Sequence, residues 1–326
     1  MTIPAYRTRA GRAVLASLVT AALCVPVPAA ARARATAPAP ANLPALTAAT
    51  LPARYAANRA VITSAARMAE AKGDLRRARA LRAMAGRAFL SFDARGDGRA
   101  VEVLGDLATA ERVAVLVPGA DTTLDTYDAL TPAPHARLGG AARALYDRIR
   151  ADGPAARTAV VAWLGYTPPH LVGTGVLTTG PADEGARALR ALVASLRAAV
   201  PSARVSLLCH SYGSVVCGRA APGLRVSDIA LFGSPGTGAA SAAALRTPAR
   251  VWAGRGARDW ISRVPHVSLS LFGATIGFGA DPVAGGFGAR VFGAGGGGHS
   301  DYLAPGSASL ANLSRIALGR ITEVTR

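Results

Sequence analysis

Between Phe89 and Phe292 the chain repeats one pattern, a short run that is largely apolar at every position followed by a turn-rich or helical stretch. The runs are Phe89 to Phe92, Ala100 to Val103, Val113 to Val117, Thr158 to Leu164, Val205 to Cys209, Ile229 to Phe232, Arg250 to Ala253 and Ala289 to Phe292. A strand exposed on one side alternates apolar with polar residues. One that is apolar throughout needs cover on both faces, which is the environment of a parallel sheet between helical layers. The first two runs are joined by the turn-rich Ala94-Arg95-Gly96-Asp97-Gly98 and read as an antiparallel hairpin. The pattern therefore predicts an α/β fold of three layers, with a mostly parallel eight-stranded sheet and flanking helices. The clearest helix runs from Asp183, read as its cap, to Val200, with Leu189, Leu192, Val193 and Leu196 on one face and Pro201 stopping it. Leu138 to Arg150 and Ala239 to Leu245 carry weaker helical patterns. No internal repeat is visible.

The segment before Phe89 has a different character. Residues 1–31 read as an export signal, with Arg7, Arg9 and Arg12 ahead of the apolar Val14 to Val25, then Pro26, Pro28 and small residues suited to cleavage. An uncleaved membrane anchor is the alternative, but the run is short for a span and carries two prolines. Residues 32–51 are rich in Ala, Pro and Thr and read as a linker. Residues 52–88 form an N-terminal helical segment, broken at Gly73-Asp74, where Asp74 can cap a second helix. Residues 89–326 make up the α/β domain.

A net charge of +18 would ordinarily suggest nucleic acid. Here Lys72 is the only lysine, every other cation is arginine, and alanine and glycine abound, which is the signature of codon composition. Removing the five arginines of the first 35 residues leaves 32 cations against 19 acids, with no dense basic run. Aromatic residues, which a single-strand stacking platform needs, are sparse. Nucleic acid is therefore not expected as a partner. The five histidines show no metal-ligand spacing, no Cys-x-x-Cys pair occurs, the Gly295 to Gly298 run lacks a following Lys-Ser/Thr, and no Gly-x-Gly-x-x-Gly opens an early helix. No cofactor or metal is expected. Cys24 leaves with the signal, and Cys209 and Cys217 read as buried free thiols, because a strand end and the second turn of the next helix rarely meet disulfide geometry.

The chemistry concentrates at Cys209-His210-Ser211-Tyr212-Gly213, which ends a strand and opens a helix. That is the setting of a nucleophile elbow, in which a serine stands at the apex of a strained turn and its neighbours two residues away must be small. Gly213 meets the demand, and Cys209 stands where glycine is commonest. In this arrangement an acid and then a histidine follow the serine in the chain. Asp259 follows a strand and a glycine-rich turn. His299 follows the last strand and the glycine run. Asp281 and Asp301 are rival acids, and Asp301 would more naturally cap the next helix. His210 is discounted because its side chain leaves the turn in another direction, and His135, His170 and His266 read as solvated loop residues. An oxyanion hole needs two backbone N–H groups, and Tyr212 and Ala120 are the expected donors, with Gly119 allowing close approach. The apolar 261–287 stretch, including Phe272, reads either as a cap lining an acyl pocket or as a loop covering core. Trp163 to His170 would form the opposite rim.

These residues give the chain a resemblance. Val117-Pro118-Gly119, Trp163-Leu164-Gly165-Tyr166, His210 to Ser214, Gly233-Ser234-Pro235-Gly236, Asp281-Pro282 with Phe287-Gly288-Ala289, and His299 to Tyr302 resemble, in order, a family of secreted actinobacterial α/β-hydrolases classed as a domain of unknown function. The resemblance implies an α/β-hydrolase fold and a triad of Ser211, Asp259 and His299. It implies no particular substrate. The expected activity is that of a secreted serine hydrolase on a small-molecule ester or acyl substrate. An amidase or peptidase, or a non-catalytic protein associated with the cell envelope, is the alternative.

Overall fold

The computed structural model describes residues 37–129, 131–171, 180–264, 268–271 and 274–326, and for 268–271 and 274–276 the backbone alone. The export signal read at 1–31, His266 and Phe272 lie outside the described residues.

The strands are β1 (Ala88–Asp93), β2 (Arg99–Leu104), β3 (Arg112–Val117), β4 (Thr158–Leu164), β5 (Arg204–His210), β6 (Asp228–Phe232), β7 (Arg250–Gly254) and β10 (Arg290–Val291), and they form one eight-stranded sheet in the order β1-β2-β4-β3-β5-β6-β7-β10. β2 is antiparallel to both β1 and β4, and every other pairing in the sheet is parallel. β8 (Ser268–Leu271) and β9 (Ala274–Gly277) pair antiparallel as a separate ribbon, with Ser268 opposite Gly277.

The uniformly apolar runs have the environment they require. Along the central strands consecutive side chains enter different cores. Val113, Val115, Val117, Val161, Leu207 and Ile229 pack on one face, and Ala114, Leu116, Val160, Leu208 and Ala230 on the other. α4 (Gly180–Ala199) and α5 (Gly213–Ala220) cover the first face through Leu189, Val193, Leu196, Val215 and Val216. The second face is covered by α1 (Leu51–Ala71), α2 (Leu75–Met84), α3 (Leu138–Asp152) and α6 (Ala308–Leu318), through Ile62, Leu81, Leu145, Ile149, Leu313 and Ile316. Each buried aliphatic side chain contributes about 1.5–3 kcal/mol of transfer free energy, so two-sided burial is what holds the sheet at the centre.

The break between α1 and α2 falls at Gly73, whose φ of 77° is readily adopted only by glycine, and the Asp74 side chain caps α2 by accepting from Arg77 N–H at 3.0 Å. Leu51, at the end of the stretch read as a linker, is buried in the sheet core. Two helix readings need correction. Asp183 is not a cap, because α4 already begins at Gly180; it lies in the first turn and pairs with Arg219 of α5 at 2.6 Å. Ala239 to Leu245 holds only a 3-10 turn at Ala243–Leu245, because Gly236 and Gly238 at positive φ and a bridge from Ala239 to Gly279 keep its start out of helix.

The cysteine reading is overturned. Cys209 and Cys217 are joined in a disulfide with their Cα atoms 6.5 Å apart. The turn at Ser211 folds α5 back alongside β5, so its second turn returns to the strand end and the separation falls within disulfide range. Both cysteines are buried.

Candidate active site

The carboxyl ends of parallel strands gather residues from distant parts of a chain, and here β3, β5, β7 and β10 deliver theirs to one place. Ser211 follows β5 with φ of 52°, a left-handed conformation that a non-glycine residue rarely holds without support. The support is local. Ser211 N–H donates to Phe232 O at 3.0 Å, and the Ser214 hydroxyl donates to Cys209 O at 3.1 Å. Gly213 passes so close to β3 that a Cβ on it would lie 2.6 Å from Val117 O, which is the physical reason for a small residue there. A Cβ on Gly119 would lie 2.6 Å from the Ser211 Cβ.

Ser211 Oγ lies 2.9 Å from His299 Nε2, and His299 Nδ1 lies 2.9 Å from Asp259 Oδ1. The ionised carboxylate can only accept, so Nδ1 carries the proton and Nε2 is left to accept from the serine hydroxyl. Asp259 Oδ1 also accepts from Ile261 N–H at 2.8 Å, and Oδ2 accepts from the Tyr302 hydroxyl at 2.5 Å. Burial pushes the Asp259 carboxyl up, but the bonds from His299, Tyr302 and Ile261 outweigh it and hold the carboxyl below its ordinary range. The rival acids are engaged elsewhere. Asp281 pairs with Arg255 at 2.6 Å. Asp301 accepts from Gly298 N–H at 2.8 Å, bracing the glycine run before His299, while Ser307 caps α6 in place of Asp301.

Three residues join this arrangement that the motif alone does not reveal. Tyr302 is one: its hydroxyl donates to Asp259 and accepts from Gly256 N–H at 2.9 Å, tying the acid to the turn after β7. Gly233, at φ of 57°, is the second: a Cβ there would lie 3.1 Å from Asp259 Oδ2 and 3.3 Å from His299 Cε1, so only glycine fits behind the pair. The third is His210. Its side chain does leave the turn away from Ser211, but it returns beneath His299, where Nε2 donates to His299 O at 2.8 Å. A carbonyl cannot donate, so His210 carries its proton on Nε2. Trp260 closes the other side of His299, with ring centroids 4.6 Å apart and 43% of its own surface exposed.

Burial, reinforced by the adjacent His299 ring, pushes the His210 imidazole from 6.5 down to about 3, against the bond it gives to the His299 carbonyl. The unfolded chain takes up this proton near pH 6.5 and the folded protein only near pH 3, so the protein loses stability as pH falls through that window. His210→Gln keeps an N–H for the carbonyl without the titration. Its melting temperature should fall less than that of the wild type on acidification, by the equivalent of about 2 kcal/mol near pH 4.5. Parallel melting curves for the two proteins across that range would refute the assignment.

The cavity over Ser211 has a volume of about 280 Å³ and is walled by the loop after β3 (Pro118 to Thr122), by Thr126, by the start of α3 with His135 to Leu138, and by Leu171 and Leu303. Ala120 lines it, while Tyr212 is buried at the start of α5, its hydroxyl accepting from Ala182 N–H at 3.2 Å. No described residue of 261–287 lines the cavity. Phe278 and Phe287 belong to the core, Phe278 edge-on to Tyr212 at 5.6 Å, so the described part of that stretch covers core. The opposite-rim reading also changes. Trp163 and Tyr166 are buried and stacked at 5.5 Å, and the Tyr166 hydroxyl donates to Pro118 O at 3.0 Å. Only the end of that segment approaches the rim, through His170 bonded to Asp121 at 3.1 Å, and Leu171, just beyond it, lines the cavity. Among the described residues no group of three or more His, Cys, Asp or Glu side chains is placed to hold a metal ion.

Comparisons with known proteins bear on this fold. The chain is 31% identical over 257 residues to an uncharacterized protein of Mycobacterium tuberculosis, a match covering 69% of this chain and 37% of that relative. It is 34% identical over 174 residues to an uncharacterized protein of Mycobacterium bovis, covering 50% of this chain and 64% of the relative. The chain thus spans less than two thirds of either relative's length. Among solved structures it is similar to the esterase PE8, at 18% identity and a TM-score of 0.43, covering 69% of this chain and 99% of that one. It is also similar to a Xanthomonas campestris protein described as a serine hydrolase without lid, at 16% identity and a TM-score of 0.40, covering 70% of this chain and 92% of that one. A model of the alpha/beta hydrolase family matches residues 93–269, more than half of the chain. The chain belongs to the alpha/beta hydrolase family.

Proposed function

We propose that the protein is a serine hydrolase of carboxylic esters, with Ser211 as nucleophile, His299 as general base and acid, and Asp259 as the residue that orients His299. The observation that carries this reading is the unbroken chain of bonds from Ser211 Oγ to His299 to Asp259, each at 2.9 Å, opening on a cavity. Ser211 Oγ attacks the ester carbonyl carbon while its proton passes to His299 Nε2. The resulting oxyanion is received by the N–H groups of Tyr212 and Ala120. His299 then gives the proton to the departing alkoxide, leaving an acyl group on Ser211. Water, deprotonated by His299, attacks that acyl group, and the proton returns to Ser211 as the acid is released. Asp259 stabilises the imidazolium without taking its proton.

Export through the signal read at 1–31 belongs to the same proposal. The Cys209–Cys217 disulfide supports it, because structural disulfides persist mainly in oxidising compartments. A fluorophosphonate probe tests the enzyme reading. It should attach to the intact protein, with the added mass on the peptide that contains Ser211. No label, or label on another residue, would reject the assignment.

A further inference from the structure

Resting on the serine-hydrolase reading, the geometry points to a substrate that carries an anionic group, a carboxylate or a phosphate, held by Arg137 while its ester bond lies at Ser211. Arg137 lines the same cavity as Ser211 and His299. Its Nε is enclosed by the protein and finds no acceptor among the described residues. Enclosed guanidinium N–H groups are ordinarily matched, because leaving one without an acceptor forfeits its hydration for nothing.

Other cations of this chain show the usual outcome. Arg87 binds Glu102 and Asp128, Arg77 binds Asp125, and Arg250 binds Asp228. The acid that shares the cavity wall with Arg137 is turned elsewhere, since Asp121 bonds to His170 Nδ1 at 3.1 Å and to Leu171 N–H at 3.2 Å. His135, also on the wall, lies 3.9 Å from Asp301.

A second feature acts in the same direction. Arg137 is the N-cap residue of α3, a helix of 15 residues with no side-chain cap and no acid in its first turn. The positive end of that helix therefore lies beside the guanidinium, with one of its N–H groups, on Gly139, given to Tyr127 O at 3.0 Å, and Leu138 and Ala141 carry it along the cavity wall. A planar oxyanion accepts from a guanidinium in paired, charge-assisted bonds, which makes carboxylate and phosphate the matching chemistry. The remaining wall of Pro118, Ala120, Leu171 and Leu303 accommodates the apolar link between the two ends of the substrate.

The test compares kcat/KM for matched esters on the whole protein. Para-nitrophenyl hydrogen glutarate, anionic on the acyl side, is set against para-nitrophenyl pentanoate. The pentanoate esters of para-hydroxybenzoate and of para-hydroxyphenyl phosphate, anionic on the alcohol side, are set against phenyl pentanoate. At least one anionic ester should exceed its neutral partner by about tenfold to a hundredfold, and the arm that does so identifies the side and the anion. In Arg137→Gln that ratio should collapse towards one, and in Arg137→Lys it should be partly kept. Because the readout is a ratio within one protein, general damage to the fold cancels. Ratios near one in every arm of the wild type, or a preference unchanged in Arg137→Gln, would overturn the proposal. Failure of the wild type to hydrolyse the neutral esters as well, with no fluorophosphonate labelling, would instead overturn the serine-hydrolase reading on which it rests.

Discussion

Ser211→Ala is expected to reduce ester turnover by about a millionfold while leaving the protein folded. The size of the loss follows from what the hydroxyl does: without Oγ no acyl-enzyme can form, and His299 is left to activate water for a single displacement. The fold should be preserved, because Ser211 meets the backbone cost of its φ of 52° with a Cβ that alanine also carries. Among the described residues the hydroxyl bonds to His299, so little else changes. Hydrolysis of a para-nitrophenyl ester by purified variant, with a melting curve beside it, is the measurement. Activity above a tenth of wild type, in a protein that melts normally, would mean that the nucleophile is another group.

Asp259→Asn is expected to cost about a thousandfold to ten-thousandfold in turnover. The surroundings of the carboxylate decide how. Oδ1 accepts from both His299 Nδ1 and Ile261 N–H, and Oδ2 accepts from the Tyr302 hydroxyl. An amide can be seated in two ways. With its oxygen at the Oδ1 position it keeps the histidine's tautomer but turns an N–H against Tyr302, and the charge opposite the imidazolium is gone. With its nitrogen there it faces the Ile261 N–H and forces His299 into the tautomer that cannot accept the serine's proton. Either seating removes a bond and the negative charge, and Tyr302→Phe in the same background would relieve the first. If Asp259→Asn keeps a third or more of wild-type turnover, the orienting role is wrong.

Much of the sheet was legible because burial on both faces writes itself into composition: Val113 to Val117 and Thr158 to Leu164 contain almost nothing but apolar residues, and both lie at the centre of the sheet. Elements held by single backbone contacts were less legible. Nothing in Ala239 to Leu245 announces that Ala239 pairs with Gly279, and without that bridge the apolar spacing passes for a helix. The residues brought together around Ser211 divide in the same way. Ser211, Asp259 and His299 each follow a strand, so their common location is implied by strand order alone. Tyr302 serves by bonding the acid and Gly233 by leaving room behind it, and neither a long-range bond nor a residue's fit to a space has a local signature. The contact of His210 with His299 and the pairing of the cysteines were hidden for one reason. The sharp return of the chain at Ser211 reverses what sequence distance suggests, carrying the His210 ring back under His299 and Cys217 back to Cys209.

The indole over His299 makes the site observable without any reaction. The chain has three tryptophans, and Trp163 and Trp252 are sealed in the core, so Trp260 is the fluorophore in contact with solvent and with the imidazole. Emission from Trp260 therefore reports on the surroundings of His299, and its change on adding an ester can be followed as light in Ser211→Ala, where turnover no longer reports binding.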